Sequence, residues 1–223
     1  SRPMPNEHEQ KMTVTCPQCG AKGEASAWQT LNTALEPAAK EALLRGTLFQ
    51  YKCPSCGAVS ALQYGMLYHD AEHHAMIYSV PEKEAPEAME EIRKAESLND
   101  LTAAAGKKLT KRVVTSPNAL REKAAIFDAG LDDRVIELTK LFCGANAVRQ
   151  YPDIEIEDVF FLADKDGYFL EFISRPPLTA KLPQELYDRI RSDFQSQLDA
   201  AGNDDLTVDR RWAMRLLGVD AED

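Results

Sequence analysis

Two short boxes, Cys16-Pro17-Gln18-Cys19-Gly20 and Cys53-Pro54-Ser55-Cys56-Gly57, constrain this chain more than any other feature. A Cys-x-x-Cys turn brings two sulfurs within reach of one ion about 2.3 Å away, and a second such turn completes four ligands without demanding a large core. Here 33 residues separate Cys19 from Cys53. The glycine after each second cysteine suits a positive φ, which turns backbone N–H groups toward the sulfurs, and Pro17 and Pro54 stiffen the turns. Zinc with four thiolates carries a formal charge of about −2, and Lys22 and Lys52 stand near enough in sequence to offset part of it. The pattern predicts a zinc site formed by Cys16, Cys19, Cys53 and Cys56.

Two disulfides or a dithiol redox centre are the competing uses of such pairs. A thioredoxin-like centre needs a single box at a helix N-terminus beside a βαβ pattern, whereas both boxes here are flanked by β-prone, turn-rich sequence. Iron is the rival ion, since Cys-Pro-x-Cys-Gly also resembles the knuckles of rubredoxins. Those are small single-core electron carriers, and most of this chain of 223 residues lies elsewhere.

That length suggests one or two domains. The formal net charge of −10 is uneven: residues 1–80 hold 6 Lys/Arg and 7 Asp/Glu, leaving 20 basic and 29 acidic residues after them. An acidic body opposes binding to a phosphate backbone as the main task. The sequence has no apolar run of 18 residues and no signal-peptide pattern, so a cytoplasmic protein with no membrane association is expected. A reducing compartment suits thiolate ligation.

The coarse reading is α+β. Residues 1–12 read as a disordered N-terminus, residues 13–82 as a zinc-ribbon lobe and residues 83–223 as an acidic α+β lobe. In the ribbon, Lys11 to Thr15 and Glu24 to Trp28 flank the first box as strands. Glu36-Pro37 opens an inserted helix that stops at Gly46, and Leu48 to Tyr51 leads as a strand into the second box. Ala58 to Tyr68 and Ala75 to Val80 read as a hairpin turning at His69 to His74. After a linker at Pro81 to Pro86 comes an acidic helix, Glu87 to about Ser97, and then a loop from Ala103 to Lys111. Ser116-Pro117 starts a further helix that stops near Gly130. Leu131, Val135, Leu138 and Phe142 form an apolar stripe on the next. Ile154 to Leu162 and Tyr168 to Ser174 make a hairpin around Asp164-Lys165-Asp166-Gly167, followed by a helix from about Pro183 to Ala200 and an ending that docks through Trp212, Met214, Leu216 and Leu217.

The boxes, then Gly65-Met66-Leu67-Tyr68-His69-Asp70, Leu120-Arg121-Glu122-Lys123 and Gly130-Leu131-Asp132-Asp133-Arg134-Val135-Ile136-Glu137, resemble bacterial proteins of the CpXC domain family, over roughly residues 13–140. The resemblance implies a metal site at the four cysteines and implies no particular activity.

Other candidates for chemistry have plainer explanations. His69, Asp70, His73 and His74 could run acid-base work, with His69 and Asp70 the pair to test, but a polar hairpin turn accounts for them. The basic run Lys107 to Arg112 could contact nucleic acid, or be a solvated loop. Trp28, Phe49 and Tyr51 are expected to cover the knuckles rather than stack bases, and Cys143 to be a buried, inert thiol. Asp132 and Asp133 suit the first turn of a helix, and Asp164 and Asp166 a turn. With one strong metal motif and no convincing catalytic set, the expected function is a protein-interaction module with a protein partner or self-association. Nucleic-acid binding through the ribbon and an enzyme using His69 and Asp70 are the alternatives.

Overall fold

The computed structural model describes residues 9–99 and 108–219, so part of the stretch read as a disordered N-terminus, part of the 103–111 loop and Lys107 lie outside the described residues. The chain forms two compact units, residues 1–121 and 122–223.

In the first unit, β1 (Glu9–Thr15) pairs antiparallel with β2 (Lys22–Trp28), and the first box makes the turn between them. After a single spacer, Gln29, comes the short strand β3 (Thr30–Asn32). Helix α1 (Pro37–Arg45) starts on a proline at its first turn and ends at Gly46, as the sequence predicts. Strands β4 (Gln50–Lys52) and β5 (Val59–Ala61) form a second antiparallel hairpin whose turn is the second box. The long strand expected from Ala58 to Tyr68 is therefore split at Leu62–Gly65: its first part pairs back to β4, and its second part, β6 (Met66–Asp70), joins another sheet. There β6 pairs antiparallel with β7 (Ala75–Ser79). Parallel strands flank this hairpin, β3 beside β6 and β8 (Thr110–Val114) beside β7. Pro81 precedes a single 3₁₀ turn that runs into α2 (Ala85–Asn99). Most of α2 is exposed and charged, and Ala85 and Ile92 are the residues it buries.

Helix α3 (Pro117–Asp128) begins where the Ser116 hydroxyl accepts a hydrogen bond from the Ala119 N–H at 3.1 Å. The second unit is built on α4 (Asp133–Gln150) and a three-stranded antiparallel sheet of β9 (Glu155–Asp164), β10 (Gly167–Arg175) and β11 (Leu178–Lys181), in the order β11-β10-β9. Asp164 faces Gly167 across a two-residue turn, and the Asp164 carboxylate accepts from the Asp166 N–H at 2.7 Å. Period-two alternation sends Phe161, Leu170 and Phe172 into the core. They pack there with Val135, Ile136 and Leu138 of α4, Tyr187 and Ile190 of α5 (Gln184–Asp193), Leu198 of α6 (Gln195–Ala201) and Trp212 of α7 (Arg210–Leu216). The single helix expected from Pro183 to Ala200 is broken at Phe194. Phe194 stacks on Phe142 with ring centroids 5.6 Å apart, and Phe142, the last residue of the predicted α4 stripe, is 40% exposed. The ending docks as expected, with the Trp212 ring N–H donating to the Asp205 carboxylate at 2.8 Å.

Candidate metal centre and its surroundings

Each box is held by the same backbone pattern. The N–H of Cys16 donates to the Ala21 carbonyl and that of Gly20 to the Cys16 carbonyl, both at 2.9 Å. The Cys53–Ala58 and Gly57–Cys53 bonds repeat this at 2.9 Å. Gly20 and Gly57 both sit at φ 76°, a left-handed conformation that side chains disfavour, so the glycine in each box is explained. The turns aim N–H groups at the first sulfur of each box. Those of Cys19 and Gln18 hold the Cys16 thiol down at about 6, and those of Cys56 and Ser55 lower Cys53. At Cys56 the Ala58 N–H also lowers the thiol, but burial and the other three sulfurs outweigh it and push Cys56 up to about 12. Four thiols this close cannot all ionise without a cation among them.

The sulfurs of Cys16, Cys19, Cys53 and Cys56 all lie within 4.8 Å of one another. Cys16 to Cys56 is 3.6 Å and Cys19 to Cys53 is 3.7 Å. A disulfide requires about 2.05 Å. A tetrahedron of sulfurs each about 2.3 Å from a zinc ion has edges of about 3.8 Å. The cluster has the dimensions of a metal-thiolate site, and all four cysteines are free. Cys16 and Cys53 are buried, whereas Cys19 and Cys56 are exposed.

Tyr51 lies beneath the cluster, packed in one core with Cys16, Cys53 and Leu62. Phe49 is buried against Tyr64, with ring centroids 5.0 Å apart, and Trp28 is half-buried at the end of β2. Tyr51 and Phe49 thus cover the knuckle region rather than offer faces for stacking. Its burial, with the thiolates of Cys53, Cys16 and Cys19 nearby, pushes the Tyr51 phenol above its ordinary range. The Tyr51 hydroxyl rests against Gly23, where a Cβ would lie only 2.0 Å from it. Lys22 and Lys52 are exposed at the strand ends beside the boxes.

The other sequence candidates are arranged differently from the expectation. Asp70 is buried at the end of β6 and binds His73, not His69: Nδ1 of His73 is 2.8 Å from its carboxylate, which also accepts the His73 backbone N–H at 3.1 Å. Along β6 burial alternates, so His69 and Asp70 point to opposite faces of the sheet. Within the described part of the basic run, Thr110 to Arg112 belong to β8 and are not a solvated loop. Arg112 is fully buried, and Lys111 pairs with Glu96 at 3.4 Å. Cys143 is half-buried, and burial raises its thiol.

Sequence reasoning did not anticipate a buried ionic network in the second unit. Lys140 donates to both carboxylate oxygens of Glu122, at 3.1 and 3.0 Å, and to Glu137 at 3.0 Å. Glu122 also accepts the Phe161 N–H at 2.7 Å, tying β9 to the ion pair. Lys123 and Asp133, both buried, pair at 2.7 Å. Asp132 caps α4, while Arg134 grips the Asp132 carboxylate and reaches the carbonyls of Leu198 and Gly202 at 2.9 and 2.7 Å, closing the end of α6. The charged residues of Glu122-Lys123 and Asp132-Asp133-Arg134 to Glu137 are therefore ion-pair and hydrogen-bond partners within the second unit. Capping explains Asp132, but Asp133 is an ion-pair residue.

Fold and donor set together define the class: an α+β protein with a four-cysteine cluster compatible with metal binding. Compared with models of known families, the chain matches the CpXC protein family over residues 14–140, more than half its length, and it belongs to that family. No curated protein and no solved structure matches it. No helix among the described residues is long and apolar enough to cross a membrane.

Proposed function

We propose that this CpXC-family chain is a cytoplasmic zinc protein whose two box-bearing hairpins form a zinc ribbon with Cys16, Cys19, Cys53 and Cys56 as ligands, and that it serves as a protein-interaction module. The observation that carries the metal reading is the 3.6 and 3.7 Å spacing of sulfurs from different hairpins, close to the edge of a zinc-thiolate tetrahedron. Four protein ligands leave no coordination position for water, so the ion stabilises the fold and does not activate a substrate. Zinc is favoured over iron because the thiol core is a small part of a larger fold, unlike that of a minimal electron carrier. The interaction reading draws support from Val148 and Tyr151, 48% and 46% exposed at the C-terminal end of α4. Val148 shares a helix face with the partly buried Leu141 and the exposed Ala145.

Elemental analysis tests the first half, with one zinc per chain expected and a metal-free, folded chain refuting it. Light scattering across a concentration series, with affinity capture from a native extract, tests the second. A chain that stays monomeric and retains no protein refutes the interaction reading.

A further inference from the structure

We propose that the four-cysteine cluster is a peroxide-sensitive site, which closes disulfides between its hairpins, Cys19 to Cys53 and Cys16 to Cys56, as it gives up its metal. The release step rests on the zinc reading; the pairing rests on geometry alone. Two sulfur–sulfur contacts, at 3.6 and 3.7 Å, run from one hairpin to the other. Each joins an exposed cysteine to a buried one: Cys19 to Cys53, and Cys56 to Cys16. That is the arrangement of an attacking thiolate with a resolving partner behind it. Closure inside a box is the usual fate of a Cys-x-x-Cys pair. In this fold closure between hairpins needs the sulfurs, 3.6 and 3.7 Å apart, only to approach each other by less than about 2 Å.

The exposed Cys19 thiolate attacks the O–O bond of a hydroperoxide, the S–O bond forms, and hydroxide or alkoxide leaves. The Cys53 thiolate then attacks the sulfenic sulfur, forming the S–S bond and expelling hydroxide. Two electrons pass from the thiolate pair to the peroxide. A second hydroperoxide does the same at the Cys16–Cys56 pair, one thiolate taking the oxygen and the other closing the S–S bond and expelling hydroxide. Zinc stays divalent throughout and leaves as the hydrated ion once its ligands are consumed. The new covalent links join the same two turns as the metal did, so oxidation empties the site without parting the hairpins.

The sequence makes the pairing easy to read. Cleavage after Lys and Arg puts both cysteines of the first box on peptide 12–22 and both of the second on peptide 53–83. The purified full chain is treated with two equivalents of hydrogen peroxide, zinc release is followed with a chromogenic chelator, and the non-reduced digest is weighed by mass spectrometry. The expected result is zinc release together with peptides 12–22 and 53–83 joined and four hydrogens lighter. Unlinked peptides, each lighter by two hydrogens, or thiols converted only to sulfinic acids, overturn the proposal. Zinc measured before oxidant is added tests the metal reading separately, because the peptide masses report linkage between the boxes, and fragmentation of the joined peptides reports which cysteines are paired, with or without it. In Cys19→Ser a single link, Cys16 to Cys56, is expected to persist with Cys53 left as a thiol; closure of Cys53 onto Cys56 overturns the proposal there too.

Discussion

Replacing Gly23 by alanine measures how tightly Tyr51 is lodged beneath the thiols. The added Cβ would lie 2.0 Å from the Tyr51 hydroxyl oxygen and 3.3 Å from the ring carbon that bears it. An ordinary contact is roughly 3.5 Å, so the hydroxyl must retreat by about 1.5 Å. Tyr51 has no slack for that, since its ring is packed against Cys16, Cys53 and Leu62. Overpacking of this kind costs about 3 kcal/mol, the upper end of its usual range. In a unit of roughly a hundred residues, that lowers the melting temperature by about 12 °C or more. Tyr51→Phe removes the offending atom. On its own it is neutral or slightly stabilising, because the buried hydroxyl has no hydrogen-bond partner among the described residues. In the double variant the nearest atom is the ring carbon at 3.3 Å, which needs a shift of only a few tenths of an ångström. About 2 kcal/mol of the loss should return as coupling between the two sites. The assay is a double-mutant cycle of thermal or urea unfolding on the zinc-loaded chain. A Gly23→Ala protein as stable as the parent, or one that Tyr51→Phe fails to rescue, would falsify this account of the hairpin core.

Cys16→Ser and Cys53→Ser should each abolish stoichiometric zinc and loosen the first unit, while Cys143→Ser should retain metal at a modest cost; equal zinc loss in all three, by elemental analysis, contradicts the grouping. Glu122→Gln should destabilise the second unit by about 3–5 kcal/mol, because it leaves Lys140 with a weakened buried partner and disturbs the Phe161 contact. Glu137→Gln should cost less, since burial pushes that carboxyl above its ordinary value and so weakens the hold on its charged form; denaturant unfolding that ranks the two the other way refutes the hierarchy. Burial would lower the Lys140 ammonium, but Glu137 and Glu122 more than offset it and hold it above its ordinary 10.5. A raised folded value means the stabilisation is complete below pH 10.5 and lost as pH climbs toward the folded value, so melting of the second unit should fall with pH from about 10.5 upward. A flat profile over that range counts against the pair.

Local chemistry was legible in the sequence wherever a few adjacent residues decide the outcome. The cysteine boxes with their glycines, Pro37 and Gly46 at the ends of α1, Ser116 before Pro117 and the turn at Asp164 to Gly167 all carry their instructions within a few positions. What stayed hidden depends on distant partners. Strand β3 has three residues and exists because it pairs in parallel with β6, and the break after Ala61 exists because β5 returns to β4. Arg112 looked like a solvated cation until the parallel pairing of β8 with β7 fixed the run as a strand. Asp70 looked like a partner for its neighbour His69, but strand alternation separates them and the turn delivers His73 instead. The charged residues of Glu122-Lys123 and Asp132 to Glu137 read as helix-end charges. Their meeting on Lys140 and Lys123 depends on how α3 and α4 come together, which no local periodicity records.

The first hairpin leaves the thiol cluster through β2, which ends at Trp28, and β3 begins at Thr30 with Gln29 as the sole spacer. The Gln29 carbonyl itself accepts the Leu67 N–H at 2.9 Å, so the spacer is pinned to β6. A displacement at the sulfurs has almost no slack to dissipate in before it reaches the parallel ladder of β3 and β6. Inserting glycines at Gln29 would act like a clutch between the two, leaving amide exchange in β6 indifferent to whether the cysteines hold an ion.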